Sequence, residues 1–303
     1  MTRPLAAVTG ATGFLGAHLV RALHQAGFAV RALARRDPSA PGWGDEAPEV
    51  IPGTLDDEAA LARLVDGAEV VVHAAGAIKA ANRQAFMAVN RDGTARLAGL
   101  AGGARFLLVS SLAARHPEVS AYAASKRAGE DAAAGLIAPE RLTIVRPPAI
   151  YGPGDRETLA IFKAAAASPF LPVLSGDARL ALVHVEDAAA AVAGLAQAGA
   201  PGVWALADER PAGYGWREIL AAAAEAVGRR PALPDTPAWL LPSLCRLGAA
   251  AGLVSPAKVG ELLHKDWSVA HDELAPDIPA PRFGLKEGFA SSVAWYRQAG
   301  WLR

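Results

Sequence analysis

The sequence predicts an α/β protein with a doubly wound parallel sheet of the Rossmann type and a smaller, mainly helical C-terminal lobe. Short apolar segments alternate with helical patterns over roughly the first 150 residues, an order typical of parallel sheets. The first apolar segment runs into a glycine-rich turn and then a helix. After Tyr151 the alternation becomes irregular, and helical segments interrupted by Pro and Gly predominate.

The predicted elements set the domain organisation. The predicted strands are residues 5–9, 28–33, 49–52, 69–73, 105–109, 141–145, 180–185 and 203–207. The predicted helices follow residue 16 and cover 56–65, 82–100, 120–136, 187–197, 216–228, 238–252, 256–265 and 286–298. Residues 1–150 with about 181–207 are expected to form the sheet domain, and about 151–180 with 208–303 the second lobe.

Composition excludes several classes of function. With 52% hydrophobic and 20% charged residues among 303, the chain can bury a large core. Its 30 basic residues balance 30 acidic ones, so no net charge favours nucleic acid. The seven histidines are scattered, and no metal site is predicted.

The cysteine content and the apolar stretches indicate the compartment. Cys245 is the single cysteine, so no internal disulfide can form, and no leader-like segment precedes the first strand. We therefore expect a cytoplasmic protein. The apolar stretch 238–254 is interrupted by Pro242 and Arg246, which predicts a buried helix and no integral membrane segment, with peripheral membrane contact as the alternative.

A glycine turn after the first strand indicates a dinucleotide site. Its spacing is Gly-x-x-Gly-x-x-Gly, and it opens a helix whose N-terminal N–H groups suit a pyrophosphate. The turn residues expected at the cofactor are Gly10, Thr12, Gly13, Phe14, Leu15 and Gly16. A purely structural turn is the alternative.

The end of the second strand bears on the choice of cofactor. An acid there would bind a ribose 2′-hydroxyl, whereas arginine accommodates a 2′-phosphate. The strand leaves through Arg35 and Arg36, which favours NADP, with NAD as the alternative, and makes the sheet domain the NADP-binding domain. After the strand at 69–73, the small residues Ala74, Ala75 and Gly76 allow the backbone to lie against a ribose.

A phenol and an ammonium four residues apart form the candidate acid/base pair. Tyr122 and Lys126 lie within a predicted helix, so they share one face. A cation about 4 Å from a phenol stabilises the phenolate, which suits general acid or base chemistry. In the preceding helix, Asn90 and Gly93 are poor helix formers and indicate a kink or a polar contact.

These motifs, taken in order, resemble the extended and atypical short-chain dehydrogenase/reductases of the NAD-dependent epimerase/dehydratase superfamily. The motifs are Thr9-Gly-Ala-Thr-Gly-Phe-Leu-Gly16, His73-Ala-Ala-Gly76, Asn90, Ser110-Ser111, Tyr122-x-x-x-Lys126 and Arg146-Pro-Pro-x-x-Tyr-Gly-Pro-Gly154. The pattern is most similar to the branch that includes dihydroflavonol-reductase-like and 3β-hydroxysteroid-dehydrogenase-like proteins. The resemblance covers nearly the whole chain.

The resemblance implies a role for each matching residue. Tyr122 would be the catalytic acid/base, and Lys126 would lower its pKa and bind the nicotinamide ribose. Ser111, with Ser110 as the fallback, would bond the substrate oxygen, and Asn90 would anchor a water in the proton relay. Pro147 would flank the nicotinamide. The resemblance implies a small-molecule substrate and leaves a homodimer open.

Three departures from the family pattern narrow the expected substrate. Thr54 replaces a common aspartate, so adenine contact is expected to rely on Leu55. The loop between Ser111 and Tyr122 is short, and Leu180 occupies the position where sugar-nucleotide epimerases carry an arginine. We therefore expect an NADP-dependent oxidoreductase that acts on a carbonyl or secondary alcohol of a mostly apolar molecule. A sugar-nucleotide epimerase or dehydratase and a non-catalytic cofactor-binding scaffold are the alternatives.

Overall fold

The structure, a computed structural model, describes residues 2–35, 43, 47–174, 177–240, 243 and 259–302. The chain divides into two compact units. The sheet unit comprises Met1–Pro147, Ala188–Leu206 and Glu273–Pro279, and the helical unit comprises Pro148–Asp187, Ala207–Asp272 and Ala280–Arg303. The cofactor and substrate roles that the sequence assigns to the two lobes remain predictions.

A seven-stranded parallel sheet forms the centre of the sheet unit, in the order β10-β6-β5-β4-β1-β2-β3. The strands of the chain are β1 (Leu5–Thr9), β2 (Ala29–Ala34), β3 (Glu49–Pro52), β4 (Val70–His73), β5 (Arg105–Val109), β6 (Leu142–Arg146), β7 (Ala149–Tyr151), β8 (Arg179–Leu180), β9 (Leu182–His184), β10 (Gly202–Ala205) and β11 (Asp266–Trp267). The predicted doubly wound fold class is confirmed.

The α-helices of the described residues are α1 (Phe14–Gln25), α2 (Glu58–Val65), α3 (Arg83–Met87), α4 (Gly93–Leu100), α5 (Ala121–Ala134), α6 (Leu159–Ala167), α7 (Val185–Ala198), α8 (Trp216–Val227), α9 (Val259–Leu263) and α10 (Leu285–Gln298). A π-helix, Ala88–Asp92, joins α3 to α4. The helix predicted over 82–100 is therefore continuous but changes its winding around Asn90. Asn82 caps its start by accepting from Ala85 N at 2.9 Å.

The central strands are buried along their length, as expected for a sheet covered on both faces. All four residues of β4 are buried, and β5 is buried from Phe106 onward. Parallel register places Thr9, the last residue of β1, opposite His73, the last residue of β4. Side chains that follow these strands therefore meet at one edge of the sheet.

The helical unit has its own aromatic core. Tyr151, Phe162, Phe289 and Tyr296 are fully or almost fully buried and pack edge to face or tilted at 5.0–5.6 Å between ring centroids. Two short parallel pairs, β7 with β9 and β8 with β11, complete the unit. Most of the helix predicted over 238–252, including Cys245, lies outside the described residues.

Among residues 2–240 and 259–302, apart from the gaps given above, every helix is too short or too polar to cross a bilayer.

Candidate active site

The glycine turn after β1 has the form that a pyrophosphate site needs. Gly10 has φ +79°, and a Cβ there would lie 2.6 Å from the backbone nitrogen of Ala75, so only glycine fits. Gly13 donates its N–H to Gly10 O at 2.9 Å and forms the N-cap of α1. The first turn of α1 holds no acidic residue and no side-chain cap, which favours an anion at the helix N-terminus.

An indole supports this turn from outside the motif. Trp43 is 7% exposed, and its Nε1 donates to the backbone oxygen of Ala11 at 3.1 Å. Ala11 is itself fully buried within the turn. Trp43 is not predictable from the sequence, because it stands in a Pro- and Gly-rich stretch where neither periodicity nor a motif indicates its role.

A chain of buried hydrogen bonds runs from the turn to the π-helix. Thr9 Oγ1 lies 2.6 Å from His73 Nδ1, and His73 Nε2 lies 3.0 Å from Thr94 Oγ1. Thr94 donates its own proton to Asn90 O at 2.7 Å, so its oxygen accepts from His73. The proton of neutral His73 is therefore on Nε2, while Nδ1 accepts from Thr9, which in turn accepts from Ala75 N at 3.3 Å.

Burial keeps this imidazole neutral. His73 has no exposed surface. Desolvation, with a smaller contribution from the Lys126 cation, lowers the pKa of His73 from 6.5 to about 3. At neutral pH each hydrogen bond of this chain therefore keeps the same donor and the same acceptor.

Asn90 occupies the π-helix and is buried. Its Oδ1 accepts from Ala77 N at 2.8 Å, and its Nδ2 donates to Ala77 O at 3.0 Å and to Ser125 Oγ at 2.8 Å. The sequence predicts either a kink or a polar contact here; the structure has the polar contacts, and the helix changes to π winding at the same place. A π-turn of this kind is frequent at functional sites.

The Tyr122 and Lys126 side chains belong to α5, which Ser120 caps by accepting from Ala123 N at 2.9 Å. Tyr122 is half-buried, and its ring lies 6.1 Å from that of Phe86. Lys126 is 9% exposed and donates to Val109 O at 2.7 Å. Burial lowers the pKa of Lys126 to about 8, and the Glu130 carboxylate opposes that shift.

The structure separates the roles of the two serines after β5. The Ser110 hydroxyl is buried and donates its proton to Glu130 Oε1 at 2.5 Å. Ser111 is half-buried and accepts from Ala113 N at 3.2 Å, so its proton can still be donated elsewhere. This geometry favours Ser111 over Ser110 as the group that bonds a substrate oxygen.

A model of the NAD dependent epimerase/dehydratase family matches residues 6–207, more than half of the chain. The chain belongs to this family. The match confirms the resemblance drawn from the sequence motifs.

One curated protein is similar over almost the whole chain, and two solved structures share its fold. The ceramide reductase of Caulobacter vibrioides is 50% identical over 307 residues, which cover 99% of this chain and 96% of that protein. The structure of gox2253 matches with a TM-score of 0.79 at 23% identity, covering both chains fully. MoeE5 in complex with UDP-glucose and NAD matches with a TM-score of 0.74 at 22% identity, over 98% of this chain and 99% of that one.

The residues that the family uses for its dinucleotide fit such a group here. A Cβ on Gly76 would lie 3.2 Å from Asn90 Oδ1 and 3.5 Å from Lys126 Nζ, so the segment after β4 runs directly beside both side chains. Gly10 also brings the backbone after β1 against Ala74 and Ala75 after β4, at the strand ends where sheets of this type bind dinucleotides. Thr12 is exposed, and Phe14, Leu15, Ala74 and Ala75 are half-buried.

Other predicted cofactor residues lie farther along the sheet edge. Arg35 is exposed directly after β2, whereas Arg36 lies outside the described residues. Leu55 is half-buried, and its backbone oxygen accepts from Arg96 at 2.8 Å. Pro147 follows β6, and its backbone oxygen accepts from Leu112 N at 2.8 Å. This hydrogen bond joins the turn after β5 to the segment after β6.

Leu180, where sugar-nucleotide epimerases carry an arginine, lies in the helical unit. It packs against that unit's apolar core, and its N–H donates to Tyr214 O at 2.9 Å. Arg179 is exposed and contacts Ala178 O at 3.1 Å. The difference in burial between these neighbours is the one expected for successive residues of a strand, which face opposite sides. Within the described residues, no group of three His, Cys, Asp or Glu side chains could hold a metal.

Proposed function

We propose that this chain is an NADP-dependent reductase of a carbonyl group on a ceramide-like lipid. One observation carries the proposal: the 50% identity to ceramide reductase that extends over 99% of the chain. The buried Lys126 beside Tyr122 and the Ser111 hydroxyl supply the acid and the hydrogen-bond donor that carbonyl reduction needs.

Tyr122, Ser111 and Lys126 each have a separate part in the proposed reaction. A nicotinamide, when bound, would supply the hydride for the carbonyl carbon. Tyr122 donates its phenolic proton to the carbonyl oxygen, so that ketone, hydride and proton together give the secondary alcohol. Ser111 donates a hydrogen bond to the same oxygen and fixes it near the phenol. The Lys126 ammonium stabilises the phenolate that remains until a proton returns from solvent.

The substrate follows from the chemistry of ceramides. A ceramide is an amide of a long-chain amino alcohol, and its sphinganine-type base carries one secondary hydroxyl next to the amide-bearing carbon. The precursor has a ketone in place of that secondary hydroxyl, on the carbon next to the amide-bearing one, and hydride reduction of this ketone gives the alcohol. Long alkyl chains also suit the expectation of a mostly apolar substrate that rests on Leu180 and the short loop before Tyr122.

A direct assay tests the proposal. The purified chain is mixed with an N-acyl-3-oxosphinganine in detergent micelles and with NADPH deuterated at the nicotinamide C4. Mass spectrometry should show ceramide with deuterium at the former carbonyl carbon. Absence of labelled product with either reduced nicotinamide, from a protein that binds the cofactor, would reject the reductase assignment.

A sugar-nucleotide epimerase or dehydratase is the second candidate, since MoeE5 holds UDP-glucose on the same fold. An enzyme of that kind would gain thermal stability from UDP, because UDP is a fragment of its substrate. We expect no change in melting temperature with UDP and an increase with NADPH. Stabilisation by UDP would favour the epimerase. Cofactor binding without any turnover, together with a co-purifying protein, would favour the scaffold.

A further inference from the structure

A buried acid continues the stripe of catalytic side chains along α5. Tyr122, Lys126 and Glu130 are spaced at i, i+4 and i+8 and therefore share one helix face. Glu130 is only 3% exposed. A buried carboxylate is costly unless its oxygens are paired, so the partners of Glu130 show what maintains it.

Two elements of the sheet hold the Glu130 carboxylate. Arg146, the last residue of β6, donates from Nε to Oε1 at 2.9 Å and from its second terminal nitrogen to Oε2 at 2.6 Å. Ser110, directly after β5, donates to Oε1 at 2.5 Å. These bonds use both carboxylate oxygens and fix the side chain between α5 and the ends of two strands.

The same strand end holds the ammonium of the catalytic pair. Val109 accepts from Lys126 Nζ at 2.7 Å, and Val109 immediately precedes Ser110. Residues 109 and 110 therefore connect Lys126 and Glu130 through one short piece of backbone. A movement of the carboxylate would move the acceptor of the ammonium.

Titratable groups from several elements lie around Lys126. His73, the last residue of β4, is neutral and buried, and Tyr122 and Glu130 lie on α5 itself. The Arg146 guanidinium lies behind Glu130, and Glu273 and Asp131 act on it in turn. Glu130 is thus the negative charge that opposes the desolvation of Lys126, and Arg146 is bonded to that carboxylate.

We propose that Glu130 is a positioning residue of the acid/base pair: its carboxylate, clamped by Ser110 and Arg146, keeps the Lys126 ammonium charged and in place beside Tyr122. The proposal rests on the catalytic role given to Tyr122 and Lys126 under the proposed function. It does not depend on the identity of the substrate.

The test follows the protonation of Lys126 without using turnover. Protein labelled with carbon-13 at the lysine Cε atoms is titrated by NMR, and the Lys126 signal is assigned with Lys126→Met. Glu130→Gln should lower the Lys126 titration midpoint by about one pH unit, because a negative charge is removed. Arg146→Met should raise the midpoint, because a positive charge is removed.

The two variants should therefore shift the Lys126 titration midpoint in opposite directions. Damage to the fold would instead shift the midpoint in the same direction in both variants. Asp131→Asn is the matched control: it removes a negative charge from the next residue of α5, but Asp131 is 65% exposed and paired with Arg127 at 3.0 Å. In this variant the Lys126 midpoint should stay near that of the wild type. If Glu130→Gln does not fold, Arg146→Met is compared with Glu130→Gln/Arg146→Met, and the double variant should titrate lower.

Activity provides a second, separate readout. In Glu130→Gln the alkaline limb of the kcat profile for reduction should move to lower pH, in parallel with the NMR midpoint. An unmoved Lys126 midpoint in a folded Glu130→Gln protein would overturn the positioning role, whatever the activity. A shifted midpoint in a protein that reduces no ketone would instead leave the positioning role standing and reject the proposed function.

Discussion

Gly129 of α5 lies directly against the backbone oxygen of Asn90 in the π-helix. A Cβ on Gly129 would overlap that oxygen and would also come 3.5 Å from Thr94 Oγ1. Glycine therefore sets how closely α5, which carries Tyr122 and Lys126, approaches the segment that carries Asn90. The π-turn leaves the Asn90 amide bonded to Ala77 and Ser125 at the same time.

Gly129→Ala should destabilise the protein although alanine is the better helix former by about 1 kcal/mol. The added methyl group cannot fit without separating α5 from the π-helix, and such overpacking costs about 1–3 kcal/mol. We expect a lower urea midpoint and a lower kcat, because the contacts of Asn90 shift. Gly99→Ala is the control: Gly99 is exposed in α4 with open space around its Cβ position, and it should be neutral or stabilising. Equal effects at both sites would contradict the packing argument.

Tyr122→Phe should reduce kcat about a hundred- to ten-thousand-fold, the usual contribution of a positioned general acid. The phenyl ring keeps the contact with Phe86 at 6.1 Å, so the fold and the NADPH dissociation constant should change little. Turnover and fluorescence titration of the cofactor measure the two quantities separately. Unchanged turnover would remove Tyr122 from the mechanism.

Arg35→Ala should weaken the binding of NADPH about tenfold or more while NADH binding changes little. An arginine that bonds the 2′-phosphate contributes about 1.5–3 kcal/mol as a charged hydrogen bond, and NADH lacks that phosphate. Arg35 is exposed directly after β2, where that phosphate is expected. NADH measured on the same variant is the internal control. Tighter wild-type binding of NADH than of NADPH would reject the role of Arg35.

Much of the sheet can be predicted from the sequence because its strands are short, mostly apolar and bounded by turn residues. The bounds of β1, β3 and β5 agree with the prediction to the residue. The candidate pair is also predictable, since Tyr122 and Lys126 are close along the chain and share a helix face. Local spacing is sufficient information in both cases.

The remaining parts of the site depend on contacts between distant segments. The π-turn at Asn90 faces Gly129 from another helix, and Glu130 finds Arg146 only when α5 packs on the sheet. Trp43 reaches Ala11 across 32 residues. No periodicity encodes such pairings, because each partner is an ordinary residue in its own segment. The sequence does not predict helix α6 of the helical unit either, because its 9 residues are apolar except for Lys163 and so show little amphipathic pattern.

Trp43→Phe should weaken NADPH and NADH binding by the same factor, about fivefold. The substitution removes the bond from Nε1 to Ala11 O at 3.1 Å, worth about 1 kcal/mol, and loosens the turn that holds the pyrophosphate common to both cofactors. Trp204→Phe is the matched control, since Trp204 donates to Ala200 O at 3.3 Å on the edge strand β10. A loss confined to NADPH, or an equal loss in the control, would contradict this role.

His73 should make the protein sensitive to acid. Burial and the Lys126 cation lower the pKa of His73 from 6.5 to about 3, so between these values the unfolded chain binds a proton that the folded chain does not. The free energy of unfolding should therefore fall as pH falls from 6.5 towards 3, by up to about 1.4 kcal/mol per unit from this residue. Urea unfolding between pH 7 and pH 4 measures the slope.

The variant His73→Asn isolates this contribution. Asparagine keeps an acceptor for the Thr9 hydroxyl but cannot titrate, so the fall in stability with acid should become shallower even if the variant is less stable at neutral pH. His116→Asn, which replaces a histidine whose side chain is 36% exposed, should keep the wild-type slope. Nitrogen-15 NMR of wild-type His73 should also show a neutral ring protonated on Nε2 throughout pH 5 to 8. A doubly protonated ring in that range, or an unchanged slope in His73→Asn, would contradict the buried hydrogen-bond chain from Thr9 to Asn90.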